Sequence, residues 1–180
     1  MDEVSLPVTV GESSLQEAHP VTHSQQTMTQ LTTPLDANLL GNVFGGVVLA
    51  AVDKIAYVCA ARHAGRTCAT ASFDQVDFRA PIHVGEMLTL RASVNFVGRT
   101  SLEVGVRVTS EPVFEGESRH TNSCYVTMVA IDERGRPVPV PRLILEDELQ
   151  YRRYQDALER RRARLKLATD RLRRWKGESG

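Results

Sequence analysis

The sequence predicts an α+β domain in which one long apolar helix is enclosed by a strongly curved antiparallel sheet. Two observations carry this. The segment GNVFGGVVLAAVDKIAYVCAARHAG, from Gly41 to Gly65, is apolar almost throughout, and a helix that is hydrophobic on nearly every side has to be surrounded by protein. The segments that follow alternate apolar and polar residues, the period of a strand with one covered face, so the covering layer is a sheet.

The elements follow in order. MTQLTTPLDAN, from Met28, gives a short strand and then a Pro/Asp/Asn loop. The helix begins near the pair Gly45-Gly46 and stops at Gly65, a residue suited to a left-handed C-terminal cap. CATASFDQVDF, from Cys68 to Phe78, alternates and is stopped by Pro81. EMLTLRASVNFVG and TSLEVGVRVTSEPVF alternate on either side of a turn at Gly98-Arg99, and SRHTNSCYVTMVAID runs into the turn ERGRP. The order is strand, long helix, then about four antiparallel strands, with no internal repeat.

With 180 residues, 42% hydrophobic and 24% charged, the chain suits one domain with a substantial core and appendages. Lys plus Arg and Asp plus Glu are equal at 22 each, so no overall field attracts nucleic acid or an anionic membrane. Cys59, Cys68 and Cys124 stand singly in apolar surroundings, which argues for a reducing interior and against a metal site. MDEVSLPVTVGESS has no Lys or Arg before its first apolar run, unlike a secretory or mitochondrial leader. A cytoplasmic location is therefore expected. Asp53 and Lys54 interrupt the longest apolar run well short of the roughly 20 residues that a membrane span needs.

Charge marks the boundaries. Residues 1–25 carry Asp2, Glu3, Glu12 and Glu17 with no Lys or Arg, and are expected to form a disordered acidic tail. The domain spans residues 26–142. Residues 143–180 form a basic C-terminal helix: Glu146 to Lys176 holds eleven Lys or Arg against six Asp or Glu. Its imperfect heptad seam runs through Tyr151, Leu158, Leu165 and Leu172, with Tyr154, Arg161, Ala168 and Trp175 three places on. The helix is expected to pack along an adjacent subunit or its own sheet, and a chain ending after Arg142 to keep the domain. Nucleic-acid contact is the second reading, since a charge run is commonly a solvated helix face.

Asp53 stands alone on its helix face, with Gly46, Leu49, Ala50 and Tyr57 as neighbours. A carboxylate in apolar surroundings is retained where it is paired or useful. The pattern leaves two readings open: a functional carboxylate, or one that pairs with Lys54 or caps a turn at a subunit surface. Gly45-Gly46 either serves close packing or opens the first-turn N–H groups to a ligand carbonyl or phosphate. Asn42 is either a polar site residue or an ordinary cap.

Several segments in sequence resemble the acyl-CoA thioester hydrolases of the hotdog-fold superfamily: P-x-D-A-N-x-x-G-N-V-F-G-G at 34–46, Asp53 in the helix, T-A-S-F-D-Q-V-D-F at 70–78, P-I-H-V-G-E at 81–86, V-G-R-T-S at 97–101 and V-A-I-D-E-R-G-R-P at 129–137. Together they cover roughly Gln26 to Pro141. The resemblance implies a hotdog fold, two protomers joining their sheets, and an active site at the dimer interface that hydrolyses acyl-CoA to free carboxylic acid and coenzyme A. It implies no metal and no separate cofactor, because coenzyme A belongs to substrate and product. A homodimer or a trimer of dimers is the implied assembly.

By the same resemblance Asp53 activates water or attacks the thioester, Asn42 orients water or thioester, and the N–H groups near Gly46 polarise the carbonyl. Gly98, Arg99, Thr100 and Ser101 match the turn that meets the coenzyme A phosphates, a set of N–H groups, hydroxyls and guanidinium suited to anions. Thr70, Ser72 and the stretch from Asp74 to Phe78 border the pantetheine tunnel, with Phe44 and Gly45 beside the substrate. Phe44 stands where some relatives carry a histidine, so a histidine-dependent mechanism is not expected, and His63, His83 and His120 are read as incidental. The alternatives on this fold are a non-catalytic acyl-CoA-binding regulator with the basic helix as its output, and a dehydratase, which would need a His paired with an Asp.

Overall fold

Two sheets of unequal size share the chain. The computed structural model describes residues 5–74 and 76–177. In chain order these form β1 (Val8–Val10), β2 (Ala18–Pro20), the one-turn helix α1 (Val21–Ser24), β3 (Gln26–Leu31), a 3-10 turn at Pro34–Asp36, α2 (Gly45–Ala64), β4 (Cys68–Phe73), β5 (Glu86–Val97), β6 (Ser101–Pro112), β7 (Arg119–Ala130), β8 (Arg142–Leu145) and α3 (Glu148–Gly177). The larger sheet is antiparallel in the order β3-β5-β6-β7-β4. The smaller has the order β1-β8-β2.

Alternation on the long strands builds the core. Leu88, Leu90, Ala92 and Val94 of β5, Leu102, Val104, Val106 and Val108 of β6, and Cys124, Val126, Met128 and Ala130 of β7 are buried on the inner face. Val48, Ala51, Val52, Ile55, Ala56, Cys59 and Ala60 of α2 are buried with them. Gly65, at φ 65°, ends α2 in the left-handed conformation expected of it. The α+β architecture of one long helix against a curved antiparallel sheet, with a C-terminal helix, is the hotdog arrangement.

Strand β4 is shorter than its sequence suggests. A register shift between Thr70 and Ser72 bends it, and regular pairing ends at Phe73 instead of Phe78. Asp74 N and Arg79 N still donate to the β7 carbonyls of Tyr125 and Thr121, both at 2.9 Å.

The N-terminal segment is ordered from residue 5, contrary to the expected tail; residues 1–4 lie outside the described residues. β1 pairs antiparallel and β2 parallel with β8. Val8 and Val10 pack on the core, and Val21 is buried. β8 is thus the middle strand of the small sheet, with Leu143 and Leu145 fully buried. A chain ending after Arg142 loses that strand and the partner of β1 and β2, which narrows the expectation that it keeps the domain.

Helix α3 lies on the outer face of its own sheet. Tyr154 and Ala157 are buried, and the Tyr154 ring lies 5.5 Å from that of Phe96. Its arginines point inward to acids. Arg160 forks onto Glu103, with Nη2 2.6 Å from Oε1, and its guanidinium lies 3.6 Å over the Tyr125 ring. Arg164 reaches Asp74 at 2.6 Å and Glu103 at 3.2 Å, and Arg161 forks onto Glu12 at 2.8 Å. Glu103 is only 1% exposed, so these guanidiniums replace its lost hydration. The heptad seam is used in its first half; Leu165 and Trp175 are exposed, and the Leu172 side chain lies outside the described residues.

Two predictions follow from this packing. Arg160→Met leaves Glu103 with Arg164 alone and should destabilise the fold by roughly 3 kcal/mol, read by urea unfolding; an unchanged midpoint would show that the ion network adds no stability. The second concerns His63, which is fully buried at the end of α2 with Nε2 donating to Pro141 O at 3.1 Å. Burial lowers its pKa from 6.5 to about 4. The unfolded chain therefore binds a proton that the folded chain refuses, so this contribution is complete above pH 6.5 and is lost as pH falls towards 4. The melting temperature should drop more steeply across that window in the parent than in His63→Gln. Parallel curves would contradict the assignment.

Candidate active site

Asp53 lies in the middle of α2, on the stripe of Gly46, Ala50 and Tyr57 that the sheet leaves uncovered. It is half-buried. The Thr70 hydroxyl donates to its Oδ1 at 2.6 Å and lies 3.5 Å from the Met128 sulfur. Thr70 is the last residue of β4 in its first register with β7, and the irregularity of the strand begins immediately after it. Oδ2 makes no hydrogen bond among the described residues, so one oxygen is fixed and the other is presented outward.

Two aromatic rings cover the start of α2. A Cβ on Gly46 would lie 2.4 Å from the Phe44 ring, and one on Gly45 3.3 Å from the Phe78 ring. A Cβ at either glycine would press on one of these rings, most strongly at Gly46, and the absence of side chains keeps the first turn accessible. Val47 N already donates to Phe44 O at 2.9 Å. The N–H groups of Gly45 and Gly46 are left as first-turn donors.

The loop ahead of α2 holds two asparagines in different states. Asn42 Oδ1 accepts from His83 Nδ1 at 3.0 Å. Asn38 Oδ1 accepts from Leu40 N at 2.8 Å and Asn42 N at 3.2 Å, which leaves its NH2 without a partner among the described residues. Sequence reading singled out Asn42 and passed over Asn38; the signal was Asn38-x-x-Gly41, since Gly41 takes φ 78° to close the turn that the Asn38 side chain caps. Neither asparagine bonds to Asp53. From Gly45 to Asp53 the helix rises about 12 Å, so within one chain the loop and the carboxylate stay apart.

At the other end of the sheet, Gly98 N donates to Ser101 O at 2.7 Å, closing the β5–β6 turn. The Arg99 side chain is exposed and makes no ion pair among the described residues. Ser101 and Ala69 both pair with Val129, from opposite sides, which sets the turn roughly 10 Å across the sheet from the residue beside Thr70. Thr100 O accepts from Ala130 N at 3.0 Å. Ser72 is half-buried with no side-chain partner among the described residues. The structure therefore joins Asp53 with Thr70, Phe44 with Gly46 and Phe78 with Gly45, while Asn42 and the Gly98–Ser101 turn stand separate.

Large apolar side chains surround this region without cover: Leu35, Leu39 and Leu40 of the loop, Tyr57 and Val58 of α2, and Phe73 and Phe78 beyond β4 are exposed. No group of three or more metal-ligating side chains occurs among the described residues. Nor is any described helix long and apolar enough to cross a membrane.

The family profile described as Thioesterase superfamily matches residues 40–114. Protein VdlD of Helicobacter pylori (strain ATCC 700392 / 26695) is 46% identical over 137 residues, which cover 76% of this chain and 78% of that protein. A Bacillus subtilis (strain 168) protein named as an uncharacterized acyl-CoA thioester hydrolase, YkhA, is 39% identical over 137 residues, 76% of this chain and 80% of that one. Among solved structures, an apo-hexameric acyl-CoA thioesterase superposes with a TM-score of 0.81 at 43% identity, covering 84% of this chain and 97% of that chain. The Staphylococcus aureus acyl-CoA hydrolase, solved in complex with butyryl coenzyme A, coenzyme A and coenzyme A disulfide, gives 0.78 at 33% identity, covering 87% and 97%. With the fold and so much of the chain shared, this protein belongs to the thioesterase superfamily, as one of its hotdog-fold acyl-CoA thioester hydrolases.

Proposed function

We propose that the chain hydrolyses acyl-CoA thioesters to free acid and coenzyme A at a site completed by a second copy. The observation that carries this reading is Asp53, held through one oxygen by Thr70 and open through the other, on a helix stripe that the chain itself leaves uncovered. Asp53 Oδ2 takes a proton from water as the water oxygen adds to the thioester carbon, or attacks that carbon itself to give an anhydride that water then opens. In both routes the carbon–sulfur bond breaks and the coenzyme A sulfur leaves, taking up a proton. The N–H groups of Gly45 and Gly46 suit the charge developing on the carbonyl oxygen.

We give the asparagine role to Asn38 in place of Asn42. Asn38 has its amide oxygen locked by two backbone N–H groups and its NH2 available, whereas the Asn42 oxygen is engaged by His83. Spacing supports the same choice. The Staphylococcus aureus hydrolase has been solved as separate Asp→Ala, Thr→Ala and Asn→Ala mutants, whose replaced Asn lies fifteen residues before the Asp and whose Thr lies seventeen after it. Asn38, Asp53 and Thr70 keep both intervals here. Because Asn38 does not bond to Asp53 within one chain, the two meet across an interface between copies, built on the exposed Leu39, Leu40, Phe73 and Phe78. A dimer follows, assembled further as a trimer of dimers in keeping with the hexameric neighbour. Arg99 on the Gly98–Ser101 turn takes the coenzyme A phosphates. The three buried, unpaired cysteines suit a cytoplasmic setting.

Asp53→Asn should lower turnover of a short-chain acyl-CoA by roughly a hundredfold or more, as loss of a general base does, while acyl-CoA still binds in calorimetry. Thr70→Val should reduce kcat with little change in KM, and Thr70→Ser should restore it. Parental turnover in Asp53→Asn would overturn the reading, and so would acyl-CoA binding without turnover in the parent.

A further inference from the structure

The loop that presents Asn38 and leads into α2 has little packing of its own. Leu39 and Leu40 are exposed and Gly41 stands at φ 78°, so residues 38–42 are held by hydrogen bonds more than by burial. Within the loop, the backbone of Asn42 and Asn38 are tied twice: Asn38 N donates to Asn42 O at 2.7 Å, and Asn42 N donates to Asn38 Oδ1 at 3.2 Å. Outside it, the tether is the turn before β5. Val43 N donates to Ile82 O at 2.8 Å, Asn42 and His83 form an isolated antiparallel bridge, and His83 Nδ1 donates to Asn42 Oδ1 at 3.0 Å.

That turn is anchored where the loop is not. Glu86, 7% exposed at the start of β5, accepts through Oε2 from His83 N at 3.1 Å and pairs through Oε1 with Arg119 at the start of β7. Glu86 N donates to His83 O at 3.2 Å, and the buried Thr32 hydroxyl lies 2.9 Å from both His83 O and Glu86 O. The His83 backbone is therefore fixed at its N–H and at its carbonyl by groups seated on the sheet, while its exposed ring reaches Asn42. One hydrogen-bonded chain runs from Arg119 through Glu86 and His83 to Asn42, and from the Asn42 backbone to the Asn38 side chain.

We propose that His83, read from the sequence as incidental, is a positioning residue for hydrolysis: its imidazole, anchored through Glu86, holds Asn42 and through the Asn42 backbone fixes the direction in which Asn38 presents its NH2. This inference rests on the proposed acyl-CoA hydrolysis and on the role given there to Asn38. A group that orients substrate or water has to be held within about 0.5 Å of its productive place, which an exposed loop does not achieve alone. Neutral imidazole with its proton on Nδ1 and imidazolium both donate from Nδ1. The role therefore needs no change of charge, and a residue that acts by position adds no ionisation of its own to the rate.

The experiment is steady-state hydrolysis of a short-chain acyl-CoA by the full chain between about pH 6 and 9, with thermal melts as the check on folding. His83→Ala should lower kcat by about fivefold, the effect of one neutral hydrogen bond, with KM little changed and a pH profile of the same shape. His83→Asn, whose Nδ2 occupies the place of the imidazole Nδ1, should restore most of the rate. In an Asn38→Ala background, His83→Ala should cause no further loss, because both substitutions act through one group. Asn42→Ala breaks the same bond from the other side and supplies the test if His83→Ala fails to fold. Parental kcat in His83→Ala, no recovery in His83→Asn, a changed pH profile, or the same loss on top of Asn38→Ala would each overturn the proposal. A parent that binds acyl-CoA without turning it over would overturn the hydrolysis reading and this inference with it, so the two failures are told apart by the parent alone.

Discussion

The organising constraint is that α2 is apolar on more faces than its own chain covers. The sheet buries the side carrying Val48, Val52, Ile55 and Cys59, and the stripe of Gly46, Ala50 and Tyr57 is left to water together with Asp53. Hydrophobic burial is the largest favourable contribution to folding and association, so the stripe suits the second protein surface that the proposed site calls for. Asp53 is half-buried in the single chain and, in the proposed dimer, would be enclosed where two chains meet. On the proposed reading, the functional chemistry and the need for a partner come from one feature of one helix.

The C-terminal helix solves a different problem on the other side of the sheet. Glu103 points outward from β6 into a position that α3 covers, which would be costly without Arg160 and Arg164. Arg164 also reaches Asp74, just past β4, the strand that carries Thr70. The acid surplus of the N-terminal segment and the base surplus of the helix meet in the Glu12–Arg161 pair, so the neutral total charge reflects internal pairing. The helix charge that suggested a nucleic-acid surface is in part turned inward.

The parts of the fold legible in the sequence are those with long, regular periods. α2 and strands β5, β6 and β7 run for twelve residues or more, long enough for alternation or helical spacing to stand out. β1, β2 and β8 are three or four residues long and pair across more than 120 positions, so no local pattern marks them. At the site, Asp53 was visible because it is the single carboxylate in an apolar run. Thr70 could be tied to the substrate strand by resemblance, but its bond to Asp53 joins a strand to a helix and no local pattern marks it. Asn38 and Asn42 share a loop and a side chain type; their hydrogen bonds differ, and the spacing to Asp53 and Thr70 favours Asn38.

The central claim is that Asp53 of one copy and Asn38 of another form one site. It is tested most directly by co-expressing an Asp53→Asn chain with an Asn38→Ala chain, each carrying a different affinity tag, and isolating the mixed assembly by both tags. In a mixed dimer one of the two sites brings the two substituted residues together and the other brings the two intact ones together. The account predicts that each variant alone hydrolyses acyl-CoA poorly and that the mixed assembly regains activity well above either. A mixed assembly no more active than the average of the two variants would contradict it.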